Sequence, residues 1–307
     1  MNFIDTNKKE NNFFLLKSDN NYKLKSDNFD ASIFLYNLLN DSDDFKFNKI
    51  FRNLNTNIYL DFKKTFLDEN TYINNLAGNI KFKKNKITKV SLNSKFFDNK
   101  ELNFSVRTND NGEKITTLYS GNATPLVKKY KFIKGFSDGN LDFYSIKKNN
   151  ISKSQLRIYD FKLKEVPVLT KILTLASLQG IADMLTGEGI RFNEFEMNFT
   201  NKGTLMTIEE IYAIGPAISI LMSGYIESKK LVSLRGTLVP ATTLNKVIGS
   251  LPLIGNILVG KKTGEGVFGV SFKIKGPPKD LKTTVNPIKT LTPRFITRIL
   301  EKVKKQK

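Results

Sequence analysis

LRGTLVPATTLNKVIGSLPLIGNILVGKKTGEGVFGVSFKIKG (Leu234–Gly276), followed by PPKDLKTTVNPIKTLTPRFITRIL (Pro277–Leu300), is the stretch whose reading decides the fold. It begins with an apolar-alternating strand that ends near Leu238. After Pro240 the spacing predicts a short helix over Thr242–Ile248, a Pro/Gly hairpin at Gly249–Pro252 and a second apolar piece at Leu253–Val259. Gly260–Gly266 reads as a flexible turn. Phe268, Val270, Phe272 and Ile274 then alternate along a strand that stops at Gly276-Pro277-Pro278. Leu281, Thr283 and Val285 form a last strand. Thr292 and Pro293 open a terminal helix, with Ile296, Ile299, Leu300 and Val303 on one face and lysines at the end that suits the helix dipole. The stretch holds no nucleophile beside a base and no metal cluster.

The same strand period runs upstream. Ile58, Leu60 and Phe62; Ile80 and Phe82; Val90 and Leu92; Leu102, Phe104 and Val106; Tyr144 and Ile146; and Arg157, Tyr159 and Phe161 all recur at every second residue. Asn85, Asp98-Asn99, Asp110-Asn111-Gly112, Asp138-Gly139-Asn140 and Asn149-Asn150 mark the turns between them. Such spacing predicts an antiparallel meander, with short helices near Asp30–Leu39 and Pro125–Ile133. Pro167–Gly189 predicts an amphipathic helix that Gly180 kinks or splits. Strands follow over Arg191–Phe199, Leu205–Ala213, Ala217–Glu227 and Leu231–Leu238. The expected fold class is mainly β: a curved, mostly antiparallel, groove-like sheet with a few short amphipathic helices.

Composition shifts along the chain. Of 33 Asn, 27 lie in the first 150 residues, whereas 8 of 9 Pro and 14 of 19 Gly lie beyond them. We divide the chain at this shift into a strand-rich segment, 1–155, and a second region, 156–307, continuous with the first sheet. The formal net charge is +20, yet 42 of the 49 basic residues are Lys and only 7 are Arg. Scattered Lys is ordinary solvated surface, and specific phosphate or base recognition favours the Arg fork. No nucleic acid is therefore expected as partner; a basic platform for single strands, with Tyr130, Tyr144 and Tyr159 among the lysines, is the alternative.

There is no Cys, His or Trp. That removes thiol chemistry, imidazole acid–base catalysis and the usual zinc sites. Asp41, Asp43 and Asp44, the pair Glu194 and Glu196, and the pair Glu209 and Glu210 read as solvated surface, with the strand pair Glu194/Glu196 on the wet face. Gly264–Gly269 is not a dinucleotide fingerprint, because a strand and not a helix follows it. The reading is a non-enzyme with no cofactor and no metal. No apolar run is long enough for a signal peptide or a membrane-spanning helix.

PVLTKILTLASLQGIADMLTGEGIRF (Pro167–Phe192), AIGPAISILMSGYI (Ala213–Ile226), RGTLVPATTLNKVIGSLPLIGNILVG (Arg235–Gly260), GEGVFGVSFKIKGPPKD (Gly264–Asp280) and VNPIKTLTPRFITRIL (Val285–Leu300) resemble, in order and spacing, the AsmA-like C-terminal region of large alphaproteobacterial envelope proteins, within the AsmA/TamB/YhdP superfamily. The resemblance implies a β-groove with an apolar floor that conducts phospholipid between inner and outer membrane and supports outer-membrane biogenesis, in the periplasm of Gram-negative cells. It also implies an inner-membrane anchor in a longer parent protein, of which this chain looks like the C-terminal third or the product of a split gene. Phospholipid and a membrane surface are the implied partners; an envelope scaffold binding a protein partner is a further alternative. The expected groove lining is Ile218, Ile220, Met222, Phe268, Val270, Phe272 and Ile274. Pro240, Asn245, Gly249, Pro252, Gly255 and Gly276 are expected to set turn and cap geometry.

Overall fold

The computed structural model describes residues 2–4, 10–19, 21–32, 55–84, 86–128, 135–228, 230–241 and 269–288, together with 294, 297 and 298. Among them, period-two alternation becomes strand almost throughout. The strands β3 (Phe14–Ser18), β4 (Asn21–Asp30), β5 (Thr56–Phe66), β6 (Tyr72–Lys83), β7 (Lys86–Phe96), β8 (Glu101–Thr108), β9 (Lys114–Ser120) and β10 (Gly135–Lys148) are followed by β11 (Ile151–Lys164), β12 (Ile190–Lys202), β13 (Leu205–Ile214), β14 (Ile218–Glu227), β15 (Leu231–Pro240), β16 (Gly269–Gly276) and β17 (Lys282–Ile288). These 15 strands hydrogen-bond in chain order, each to the next, in one sheet with open ends at β3 and β17. A separate two-stranded sheet pairs β1 (Asn2–Ile4) with β2 (Glu10–Asn12). The mainly β, mostly antiparallel class and its short helices are as the alternation and turn signals require. β4 and β5 pair in parallel, which needs the long connection between Asp30 and Thr56.

Two compact units are present. The first comprises Met1–Pro125 with Asn140–Asn149; the second comprises Leu126–Gly139 with Asn150–Lys307. In the first unit, tight connections after Phe66, Phe96 and Thr108 join antiparallel neighbours, the last two at the expected Asp98-Asn99 and Asp110-Asn111-Gly112 turns. At Asp68 the side chain itself makes the turn, its Oδ1 accepting from the N–H groups of Asn70 and Thr71 at 2.9 and 2.8 Å. The short helix α1 (Thr124–Lys128) starts under Asn122, whose Oδ1 accepts from the Thr124 N–H at 3.2 Å.

The Asp138-Gly139-Asn140 signal is not a turn: it lies inside β10. Asp138 and Gly139 have φ of 66° and 78°, so two successive left-handed residues distort the strand without ending it. β10 also presents the other side chains inward. Leu141 and Phe143 face Ser120 and Leu118 on β9, while Tyr144 is exposed.

In the second unit the predicted helix is two helices, α2 (Pro167–Leu175) and α3 (Gln179–Thr186). The break is at Ser177, φ 57°, and Gly180 lies inside α3. Leu169, Ile172 and Leu173 of α2 and Ala182 and Leu185 of α3 are buried. α2 packs against β17 and α3 against β11, so the pair reaches both the first and the last strand of the β11–β17 series. This follows from the connections. Gly203–Thr204, residues 228–230 and residues 277–281 are short and close one set of strand ends, whereas residues 165–189 and 241–268 leave from the other set. The helix pair therefore covers the long-connection end of this unit.

Candidate functional site

Register decides what the alternating apolar residues build. Directly opposed residues of neighbouring strands share a face, so cross-strand partners can be followed as rows. In the first unit one row runs Leu24–Leu60–Gly78–Leu92–Phe104–Leu118–Phe143 across β4 to β10. Beside it runs Tyr22–Ile58–Ile80–Val90–Val106–Thr116–Ser145. The members of the first row are half-buried along its whole length. Among the described residues the other sheet of this unit is the two-stranded β1–β2 pair, which lies against β4. The opposite face carries Lys, Asn, Ser and Thr, with Tyr59, Tyr119 and Tyr144 exposed.

The second unit repeats the pattern. One row runs Ile158–Phe195–Ala213–Ile220–Leu238–Val270–Pro287, and the next runs Leu156–Met197–Ile211–Met222–Gly236–Phe272–Val285. The expected lining residues Ile220, Met222, Val270, Phe272 and Ile274 stand on this one face, and Ile218 shares it at the strand end. The fold thus brings them together, but it also covers most of them. Ile218 is 0% exposed, Ile220 8%, Val270 5%, Phe272 3% and Ile274 6%; only Met222 is half-buried. Phe268 lies outside the described residues.

Gly236 makes room for this packing: a Cβ there would sit 2.5 Å from the Phe272 ring and 2.6 Å from Met222 Cβ. Of the expected turn and cap positions, Pro240 ends β15 and Gly276 ends β16. Gly276 has φ 147°, and a Cβ would meet the Asp280 carbonyl oxygen at 2.2 Å, which is why only glycine closes this corner. Asn245, Gly249, Pro252 and Gly255 lie outside the described residues.

The back of the second unit holds what sequence reading missed. Glu196 and Glu210, expected as solvated, are 6% and 7% exposed. A register shift between Ile208 and Ile211 on β13 turns Glu210 toward the back, opposite Asn198. There Arg298 Nη2 donates to Glu196 Oε1 at 3.1 Å, and Arg298 Nε donates to Glu210 Oε1 at 2.7 Å. Arg294 Nε reaches Glu210 Oε2 at 2.5 Å. Arg157 Nε stands 3.4 Å from Glu196 Oε2, and Asn198 Nδ2 donates to Glu196 Oε1 at 2.8 Å. The Arg298 guanidinium lies 5.4 Å from the Tyr212 ring centre.

Burial works to raise the Glu196 pKa, but the Asn198 hydrogen bond and the Arg298 and Arg157 charges outweigh it and hold the carboxyl below its ordinary value. Burial likewise opposes the Arg298 charge, and Glu210 and Glu196 more than offset it. Both carboxylates are engaged by guanidinium, so the cluster fastens Arg294 and Arg298 to the sheet. Arginines at i and i+4 on a C-terminal helix were the available signal.

Two other features frame the site. A shallow depression of about 510 Å³ along α2, lined by Pro167, Thr170, Thr174, Leu175 and Thr186 with Glu165 and Lys171, has no convergent polar groups. Among the described residues no helix is long and apolar enough to cross a membrane, and no three acidic side chains form a metal-holding group. Comparison with protein-family models, with curated proteins and with solved structures gives no match to this chain.

Proposed function

We propose that the apolar face binds the acyl chains of phospholipid, and that the chain is a non-enzymatic, lipid-handling segment of an envelope protein of the AsmA/TamB/YhdP type, acting in transfer between inner and outer membrane. The observation that carries this reading is the half-buried row Leu24–Leu60–Gly78–Leu92–Phe104–Leu118–Phe143. Seven strands set side by side give a strip about 29 Å across at roughly 4.8 Å per strand, and the described β1–β2 pair packs at its β4 end. Acyl chains need that kind of surface: continuous, apolar and without polar groups to desolvate. The sealed face of the second unit is a packed core by comparison, so the lipid-contacting residues are assigned to the first unit.

The periplasmic location and the tether belong to the same proposal and are supported by the resemblance alone. The test is native mass spectrometry of the purified chain, with lipid extraction of the same sample. Phospholipid should co-purify with the wild type and be lost from the Leu92→Glu/Phe104→Glu variant while circular dichroism stays unchanged. Wild-type protein free of lipid after exposure to phospholipid vesicles would overturn the reading.

A further inference from the structure

Between Asn70 and Phe97 the sequence has six lysines and no acidic residue. The fold concentrates five of these lysines, Lys81, Lys83, Lys84, Lys86 and Lys89, at the β6–β7 hairpin of the first unit. Register then places Lys81 opposite Lys89, and Lys89 opposite Arg107 of β8, in one cross-strand row on the polar face; Lys83 faces Lys86 one step further out. All are exposed. Directly opposed like charges, with Cβ atoms about 4.5–5.5 Å apart, oppose folding, so a row of three is held against its own repulsion.

Elsewhere in this unit Lys23 pairs with Asp61 at 3.3 Å, Lys63 with Asp27 at 2.7 Å and Lys100 with Asp98 at 3.5 Å. No carboxylate among the described residues pairs with the row. Of the acidic residues on the β8–β9 connection, Asp110 and Glu113, the second is engaged by Asn109 at 2.9 Å.

We infer that this hairpin corner docks on the anionic surface of a phospholipid bilayer. Complementary charge is what the row lacks within the protein, and a phosphate-bearing plane supplies it. In the next row inward Asn79, Ser91, Ser105 and Thr117 separate the exposed rings of Tyr59 and Tyr144 by four strands, too far apart for successive bases to stack on both. The lysine ammonium is a point charge without the bidentate fork that reads phosphate geometry. A diffuse anionic plane therefore fits better than a nucleic-acid strand. The inference stands whether or not the apolar face carries lipid, because it uses the opposite face of the sheet.

The experiment is flotation of the full chain with vesicles of phosphatidylcholine alone, or of phosphatidylcholine with phosphatidylglycerol. Binding is expected only to the second, falling away as salt rises from about 0.1 M to about 1 M and the Debye length shrinks from roughly 10 Å to 3 Å. The K81Q/K83Q/K86Q/K89Q variant should bind at least about tenfold more weakly. A charge-matched control, K153Q/K202Q/K273Q/K275Q, should bind like wild type, with both variants checked by circular dichroism. Equal loss in the two variants would reduce the effect to net charge and overturn the assignment. So would undiminished binding of the first variant, or binding to a single-stranded oligonucleotide without binding to anionic vesicles.

Discussion

Glu196 and Glu210 are charged groups in a place where charge is costly, and what keeps them there is Arg298. Its side chain is only 14% exposed, and it serves both carboxylates at once. Removing one partner of such a buried set leaves the others uncompensated. Arg298→Met is therefore expected to destabilise the second unit by about 3 kcal/mol in urea unfolding. Adding Glu196→Gln and Glu210→Gln to the same variant should recover most of the loss, because no unpaired charge then remains.

Acid acts on the same cluster. A carboxyl held below its ordinary value contributes stability that is complete above the ordinary range and is lost as pH falls through the lowered value. The wild-type melting temperature should thus fall on acidification below about pH 4.3, and fall less steeply in Glu196→Gln. None of this was legible locally. Glu196 reads as a polar position on an alternating strand, which is correct, but the guanidinium that neutralises it stands 102 residues further along the chain.

Helices and strands show where local rules suffice and where they fail. The α2–α3 region was legible as apolar and helical because its spacing repeats with the helical period. Its break was not, since Gly180 looked the weaker point and the chain turns instead at Ser177 in the left-handed region. Leu173 and Leu185, both 0% exposed, anchor the two halves. Leu173→Ala should cost about 2–5 kcal/mol through the cavity it leaves, read as a lowered denaturation midpoint.

Strand β6 makes the complementary point with Gly78, φ 151°, where an added Cβ would fall 1.9 Å from the Ser91 carbonyl oxygen of β7. Gly78→Val should break this part of the ladder and increase amide exchange across β6 and β7, leaving the second unit protected. Asp138-Gly139 carries the same residue types as a hairpin turn yet continues β10, because pairing on both sides of the strand prevails over a local preference.

Over the whole molecule, a meander of strands paired in chain order lets each unit gather its alternating side chains into rows. The two units use the rows differently, and substitutions should reveal it. Ile220→Glu puts a charge into a sealed face and is expected to lower the melting temperature sharply. Leu92→Glu alters a half-covered face and should leave melting nearly unchanged while lowering lipid occupancy in native mass spectrometry. Equal thermal effects would show that both faces are core.

What the sequence by itself determined is the class of structure. Alternation, turn residues and the absence of Cys and His are local properties, and they sufficed for an antiparallel β meander with short helices. Only the tertiary structure decided which apolar residues are sealed, which carboxylates are neutralised and which lysines stand in one row. Each depends on strand register, a relation between residues far apart in the chain; a shift of one residue would send every one of these side chains to the other face.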